Sequence, residues 1–165
     1  MSRGRATKEA GEPAQTVGFL LSQVGALAAA GFKERMAAID LGAAHAGILR
    51  VISEADGLSQ QALGEKLGVF PSRLVSMLDE LEERGLVERR NNPADRRSYA
   101  LYLTKNGLES CKKIEQIGRE HEDALCAALD SSERAQLASL LTRVAAQQQL
   151  TPGVHPGFRW LGAGK

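Results

Sequence analysis

The chain has 165 residues, 43% hydrophobic and 25% charged, with a formal net charge of +1. That size and balance fit one folded domain, or a domain with a dimerisation extension, and exclude an intrinsically disordered chain. With so little net charge, any affinity for nucleic acid must come from local clustering of basic side chains.

Aromatic residues make up only 4% of the chain, so the core has to be built from Leu, Ala, Val and Ile, which favours packed helices. The longest apolar-rich run, Val17 to Phe32, is interrupted by Ser22 and Gln23 and falls short of the roughly 20 residues a membrane helix needs. No cleavage-type site follows a basic start, so no signal peptide is expected. Cys111 and Cys126 fall on one predicted helix, about four turns apart and too far to bridge each other. A reduced cytoplasmic protein with no membrane association is the expectation.

Residues 1–13 carry Arg3, Arg5, Lys8, Glu9 and Glu12 among Gly and Pro without periodicity, and are expected to form a mobile tail. From Val17 the apolar positions 17, 20, 21, 24, 27 and 28 follow helical spacing and predict a first helix to about Ala38. A second is predicted from about Ala43 to Glu54, with Ile48, Leu49 and Ile52 inward and Asp56-Gly57 after its end. Ser59 caps a third helix through Leu67, and Gly68 supplies a turn. Pro71 opens a fourth helix that points Leu74, Leu78 and Leu81 inward and stops at Gly85.

Leu86 to Arg90 and Ser98 to Leu103 then read as strands around the turn-forming Asn-Asn-Pro-Ala-Asp, with Tyr99, Leu101 and Leu103 alternating with Ser98, Ala100 and Tyr102. Thr104 caps a long fifth helix carrying Leu108, Ile114, Ile117, His121 and Leu125 on one side. Asp130 and Glu133 form a capping box for a sixth, expected to bury Leu137, Leu140, Leu141 and Val144. Thr151 to Lys165 is Gly/Pro-rich yet holds Phe158 and Trp160.

Helix, Gly-containing turn, helix and basic hairpin in that order make a winged helix-turn-helix, assigned to residues 43–104. The chain is therefore read as mainly α, with residues 14–42 and 105–150 as dimerisation helices and 151–165 as a C-terminal tail. The end helices need a partner for their apolar faces, and a second copy is the simplest one.

Between Arg89 and Arg97 lie four arginines, Arg89, Arg90, Arg96 and Arg97, against one acid, Asp95. Arginine suits a narrow minor groove because the potential there is strongly negative and guanidinium is weakly hydrated. Asp95 is assigned to holding one of these arginines in a fixed rotamer. The first turns of the fourth helix offer Pro71, Ser72, Arg73 and Ser76, short or forked groups able to reach base edges or phosphates. Its second half, with Asp79, Glu80, Glu82 and Glu83, would be repelled by DNA, so only the N-terminal part is expected to enter a groove. A winged domain used only for protein–protein contact is the competing reading.

LGEKLGV, MLDELEERGLVERR, NPADRRSYALYLT and KNG, within residues 59–107, resemble the multiple-antibiotic-resistance regulator (MarR) family of bacterial transcription factors. The Asp95-Arg96-Arg97 triplet, preceded by Gly-Leu-Val and followed by Leu-Thr, is the most specific part. The resemblance implies a homodimer that represses by occupying a pseudo-palindromic operator in double-stranded DNA, is often released by a small molecule, and inserts a wing arginine into the minor groove. Whether Arg96 or Arg97 enters stays open. Many members carry Thr-Arg where this chain has Val75-Ser76, and a basic residue where it has Glu80, so a different operator or weaker binding is expected.

The family's ligands commonly enter the cleft between the dimer helices and the winged unit. Phe32, Arg35, Met36, His45 and Arg50 lie on the corresponding segments and would suit a small aromatic carboxylate or phenol. Ordinary core and surface roles stand beside that assignment for each of the five. A metal- or redox-responsive regulator using Cys111, Cys126 and His121 is a further alternative. His121 and Cys126, however, are about 140° apart around a helix, and two ligands do not make a zinc site. No cofactor, no metal and no enzymatic activity are expected, since no catalytic or phosphate-loop motif is present.

Overall fold

Local capping chemistry fixes where the helices begin. The computed structural model describes residues 16–92 and 99–160. Thr16 opens α1 (Val17–Ala37) by accepting from Phe19 N, and α2 (Ala43–Glu54) follows after Gly42. Ser59 caps α3 (Gln60–Leu67), accepting from Ala62 N at 3.1 Å. α4 (Pro71–Glu83) starts on the ring of Pro71, whose missing N–H is not needed at that position. Thr104 accepts from Gly107 N at the start of α5 (Lys105–Leu125). Asp130 and Glu133 exchange two 2.9 Å bonds at the start of α6 (Ser131–Gln147).

α4 ends in a Schellman arrangement: Leu86 N bonds Leu81 O, Gly85 N bonds Glu82 O, and Gly85 sits at φ +63. The chain is thereby turned straight into the hairpin. β2 (Val87–Asn91) pairs antiparallel with β3 (Tyr99–Leu103), from Val87 opposite Leu103 to Asn91 opposite Tyr99. A two-residue strand β1 (Leu58–Ser59), too short to show periodicity in the sequence, pairs with the other side of β3 and gives the order β1-β3-β2. The expected alternation along β3 is shifted: Ala100 and Leu101 are both buried and Tyr99 is exposed.

The core lies under this winged unit. Ile48, Leu49, Val51 and Ile52 of α2 pack with Leu63 and Leu67 of α3, Leu74, Met77, Leu78 and Leu81 of α4, and Leu101 of β3. Ile114 and Ile117 of α5 border it, but Leu108 faces solvent and does not join the expected stripe. Leu137, Leu140, Leu141 and Val144 of α6, expected to be buried, are exposed in the protomer, as are Val17, Phe19, Val24 and Leu27 of α1. Among the described residues the chain supplies no second layer to cover these faces. The C-terminal segment departs from expectation in the opposite sense. A 3-10 turn, Pro156–Trp160, returns to α2 and puts Phe158 in the core at 6% exposure. No described helix is long and apolar enough to cross a membrane.

Candidate nucleic-acid interface

α4 is presented by its apolar face. With Leu74, Met77, Leu78 and Leu81 buried, the opposite side of its first two turns, with Pro71, Ser72, Arg73, Val75 and Ser76, is exposed. Phe70 N-caps the helix without a side-chain bond, so the amide donors of the first turn stay open and carry the positive end of the helix dipole. Two hydroxyls, a guanidinium and free amides thus share one exposed end, the donor set that phosphate and base edges accept.

The acidic second half of α4 is held from two neighbouring elements. β2 packs along α4 and sends Arg89 between two carboxylates one helical turn apart. Its Nη2 donates to Asp79 Oδ1 at 2.7 Å and its Nη1 to Glu82 Oε2, while the Arg89 backbone N–H donates to Glu82 Oε1 at 3.2 Å. The Arg89 side chain is only 14% exposed. Burial pulls its pKa down, but hydrogen bonds and charge from Asp79 and Glu82 outweigh that and hold it above the ordinary value. Arg89 was expected on the DNA surface; it is instead a clamp between β2 and α4, spent on ion pairs inside the protein.

From the other side, His45 Nδ1 accepts from Gly42 N–H at 3.3 Å, which leaves the proton on Nε2 to donate to Glu80 Oε2 at 3.0 Å. Asp79, Glu80 and Glu82 therefore all have protein partners. Sequence reasoning saw the acids but not these pairings, because both depend on tertiary contacts.

On the wing, the Arg90 guanidinium lies 4.3 Å from the Tyr102 ring centroid and pairs with Glu88, which steers it along the hairpin while leaving it exposed. Asp95, Arg96 and Arg97 lie outside the described residues. An open cleft of about 730 Å³ runs beside the N-terminus of α4, bordered by Gln60, Gln61, Phe70, Pro71 and Tyr99. Sequence reasoning did not single out Gln60, Gln61 or Tyr99. The signal available for the glutamines was their place directly after the Ser59 cap, at the start of the helix preceding α4.

The five residues assigned to an effector cleft make separate contacts in the protomer. Phe32 tilts against His121, ring centroids 5.7 Å apart, where α1 crosses α5, and Arg35 lies on the same side beside Gly31. Met36 is fully buried. His45 faces Glu80, and Arg50 donates to Glu54 Oε1 at 2.6 Å and to Gly153 O. Cys111 and Cys126 are half-buried free thiols, and no group of three metal-ligating side chains occurs among the described residues. Burial, with a smaller contribution from Glu115, pushes the Cys111 thiol above its ordinary pKa, which makes it a poor nucleophile.

The family model described as MarR family matches residues 39–98, from the end of α1 to the wing. A putative transcriptional regulatory protein for the hcr operon of Thauera aromatica is 39% identical over 106 residues, 64% of each chain. The solved structure of the transcriptional repressor CouR bound to a 23-mer DNA duplex superposes with a TM-score of 0.72 at 30% identity, covering 85% of this chain and 99% of that one. The multiple antibiotic resistance protein MarR of Escherichia coli (strain K12) is 33% identical over 112 residues, 67% of this chain and 78% of its own length. With the winged geometry and this span of identity together, the chain belongs to the MarR family of transcriptional regulators.

Proposed function

We propose that the protein is a sequence-specific repressor that binds a pseudo-palindromic operator in double-stranded DNA as a homodimer in the cytoplasm. The observation that carries this reading is the division of α4. Its N-terminal end is exposed with Pro71, Ser72, Arg73 and Ser76, while Asp79, Glu80 and Glu82 of its acidic half are held by Arg89 and His45. The positive charge of Arg89 lowers the repulsion that favoured a protein-contact role for the winged unit. The DNA duplex named with CouR supports the same use of the fold.

In this reading α4 enters the major groove by its first turns, Arg90 and the wing arginines Arg96 and Arg97 track the adjacent backbone and minor groove, and Asp95 orders one of them. The unpaired apolar faces of α1 and α6 join two copies, so that two α4 helices address half-sites about one DNA turn apart. A small aromatic effector releases the operator.

Fluorescence anisotropy on a duplex from the protein's own promoter region tests this. The expected result is specific binding whose affinity falls steeply with salt through counterion release. Equal affinity for operator and scrambled duplex, or none for either, would overturn it.

A further inference from the structure

The outward stripe of α4 carries one side chain that helix formation and core packing do not explain. Ser72, Val75, Ser76 and Asp79 follow one another three and four residues apart, on the side away from Leu74, Met77, Leu78 and Leu81. Three of the four are polar. Val75 is apolar and 39% exposed, and a β-branched side chain at an outward position weakens a helix relative to Ala, Glu or Lys.

The same branching makes Val75 rigid. One rotamer dominates for valine in a helix, so its two methyl groups stand at fixed places and little side-chain entropy is lost when they dock. The backbone beneath is anchored as well: Arg89 Nη2, from β2, donates to Val75 O at 3.4 Å and to Asp79 Oδ1 at 2.7 Å. Asp79, one turn beyond Val75, thereby carries its own counter-charge. The nearest outward groups on the stripe are the hydroxyls of Ser72 and Ser76. Phe70, also apolar and exposed, borders the neighbouring cleft with Tyr99 instead.

A rigid apolar group set between hydroxyls matches one feature of duplex DNA. Every base edge in the major groove offers hydrogen-bonding groups, and among the four bases thymine alone adds a methyl group, at C5. Hydroxyls both donate and accept, so Ser72 and Ser76 discriminate little between base pairs. Val75 has no hydrogen bond to offer and gains only where it meets that methyl.

We propose that Val75 is a specificity-determining residue that selects thymine at one position of each half-site by packing against its 5-methyl group. This deepens the DNA-binding reading and rests on it, adding the base selected and the chemical group by which it is recognised.

Uracil is the probe, because it keeps thymine's hydrogen-bonding edge and lacks the methyl. Anisotropy is measured on the promoter duplex and on the same duplex with uracil for every thymine. Burial of one methyl group is worth about fourfold in affinity, so a dimer on two half-sites is expected to bind the uracil duplex about fifteenfold more weakly. Single uracil substitutions are then expected to place that loss at one thymine per half-site.

Val75→Ser is expected to bind both duplexes alike, at the level of the parent on uracil, with unchanged far-UV circular dichroism and salt slope. Val75→Thr keeps a methyl group and is expected to keep the preference for thymine. Phe70→Ala is expected to keep it at the same position. Equal affinity of the parent for both duplexes, or a preference for thymine that survives Val75→Ser, would overturn the proposal while specific binding of operator over scrambled duplex left the DNA-binding reading standing. A parent chain that bound operator and scrambled duplex equally would overturn both.

Discussion

Arg89 Nη2 stands 2.7 Å from Asp79 Oδ1, and this ion pair decides what the acidic half of α4 contributes. Two free carboxylates on the helix proposed to face DNA would repel phosphate. Clamped by a guanidinium from β2, they instead fix the angle between α4 and the hairpin.

Replacing Arg89 by Met leaves Asp79 and Glu82 without their shared partner. The expected cost is about 2 kcal/mol of stability, because hydrogen bonds to charged groups are lost and not replaced, together with weaker DNA binding. Adding Glu82→Gln to Arg89→Met is expected to recover part of both. Urea denaturation and anisotropy read the two effects. A double variant as impaired as the single in DNA binding, but restored in stability, would return Arg89 to the DNA surface.

Arg73→Ala and Ser76→Ala act at the exposed end of α4. If Arg73 reads a base, its loss is expected to cost about 1–3 kcal/mol of operator affinity and to relax specificity at one position per half-site. Ser76→Ala is neutral in charge and is expected to leave the slope of log affinity against log salt unchanged. A uniform loss over all duplexes for Arg73→Ala would make it a phosphate contact instead.

What was legible in the sequence is what is decided locally. Ser59, Thr104 and Asp130 cap helices because their side chains reach an amide three residues on, and Gly85 ends α4 because the backbone there turns left-handed. Arg89 was misread because its partners lie seven and ten residues away on another element; along the chain it looks like one more member of a basic run. Phe158 was unreadable for the same reason, since Gly47, whose missing side chain seats its ring, is more than a hundred residues earlier. The leucines of α6 were correctly seen as apolar, but periodicity does not say whether the covering surface lies in the same chain or in another.

Gly107 is buried at the start of α5, where the chain is bolted to the hairpin root: Thr104 Oγ1 donates to Gly85 O at 2.6 Å and Thr104 N to Leu86 O at 3.1 Å. A Cβ at Gly107 would fall 2.0 Å from Leu86 O, a backbone atom that cannot swing away. Gly107→Ala is expected to lose about 3 kcal/mol in urea denaturation. A near-neutral result would show that α5 can shift on the hairpin.

Leu140 of α6 is 47% exposed in the protomer, so a charge there costs the single fold little. If this face joins two copies, Leu140→Glu is expected to halve the mass seen by light scattering at micromolar concentration. Operator affinity should fall with it while far-UV circular dichroism stays unchanged. A parent chain that scatters as a monomer would remove the dimer from the mechanism.

The wing triplet provides the test with the sharpest sign. Arg97→Ala is expected to weaken operator binding most and Arg96→Ala next, because a minor-groove arginine is lost. Asp95→Ala raises the positive charge of the hairpin, and simple electrostatics predicts tighter binding. If Asp95 orders an arginine rotamer, its removal adds conformational entropy to the free state that binding must then overcome. The expected outcome is weaker operator binding at physiological salt, with non-specific binding unchanged or stronger. Tighter operator binding by Asp95→Ala would mean that the wing arginines act as diffuse charge, and the ordered-wing mechanism would have to be abandoned.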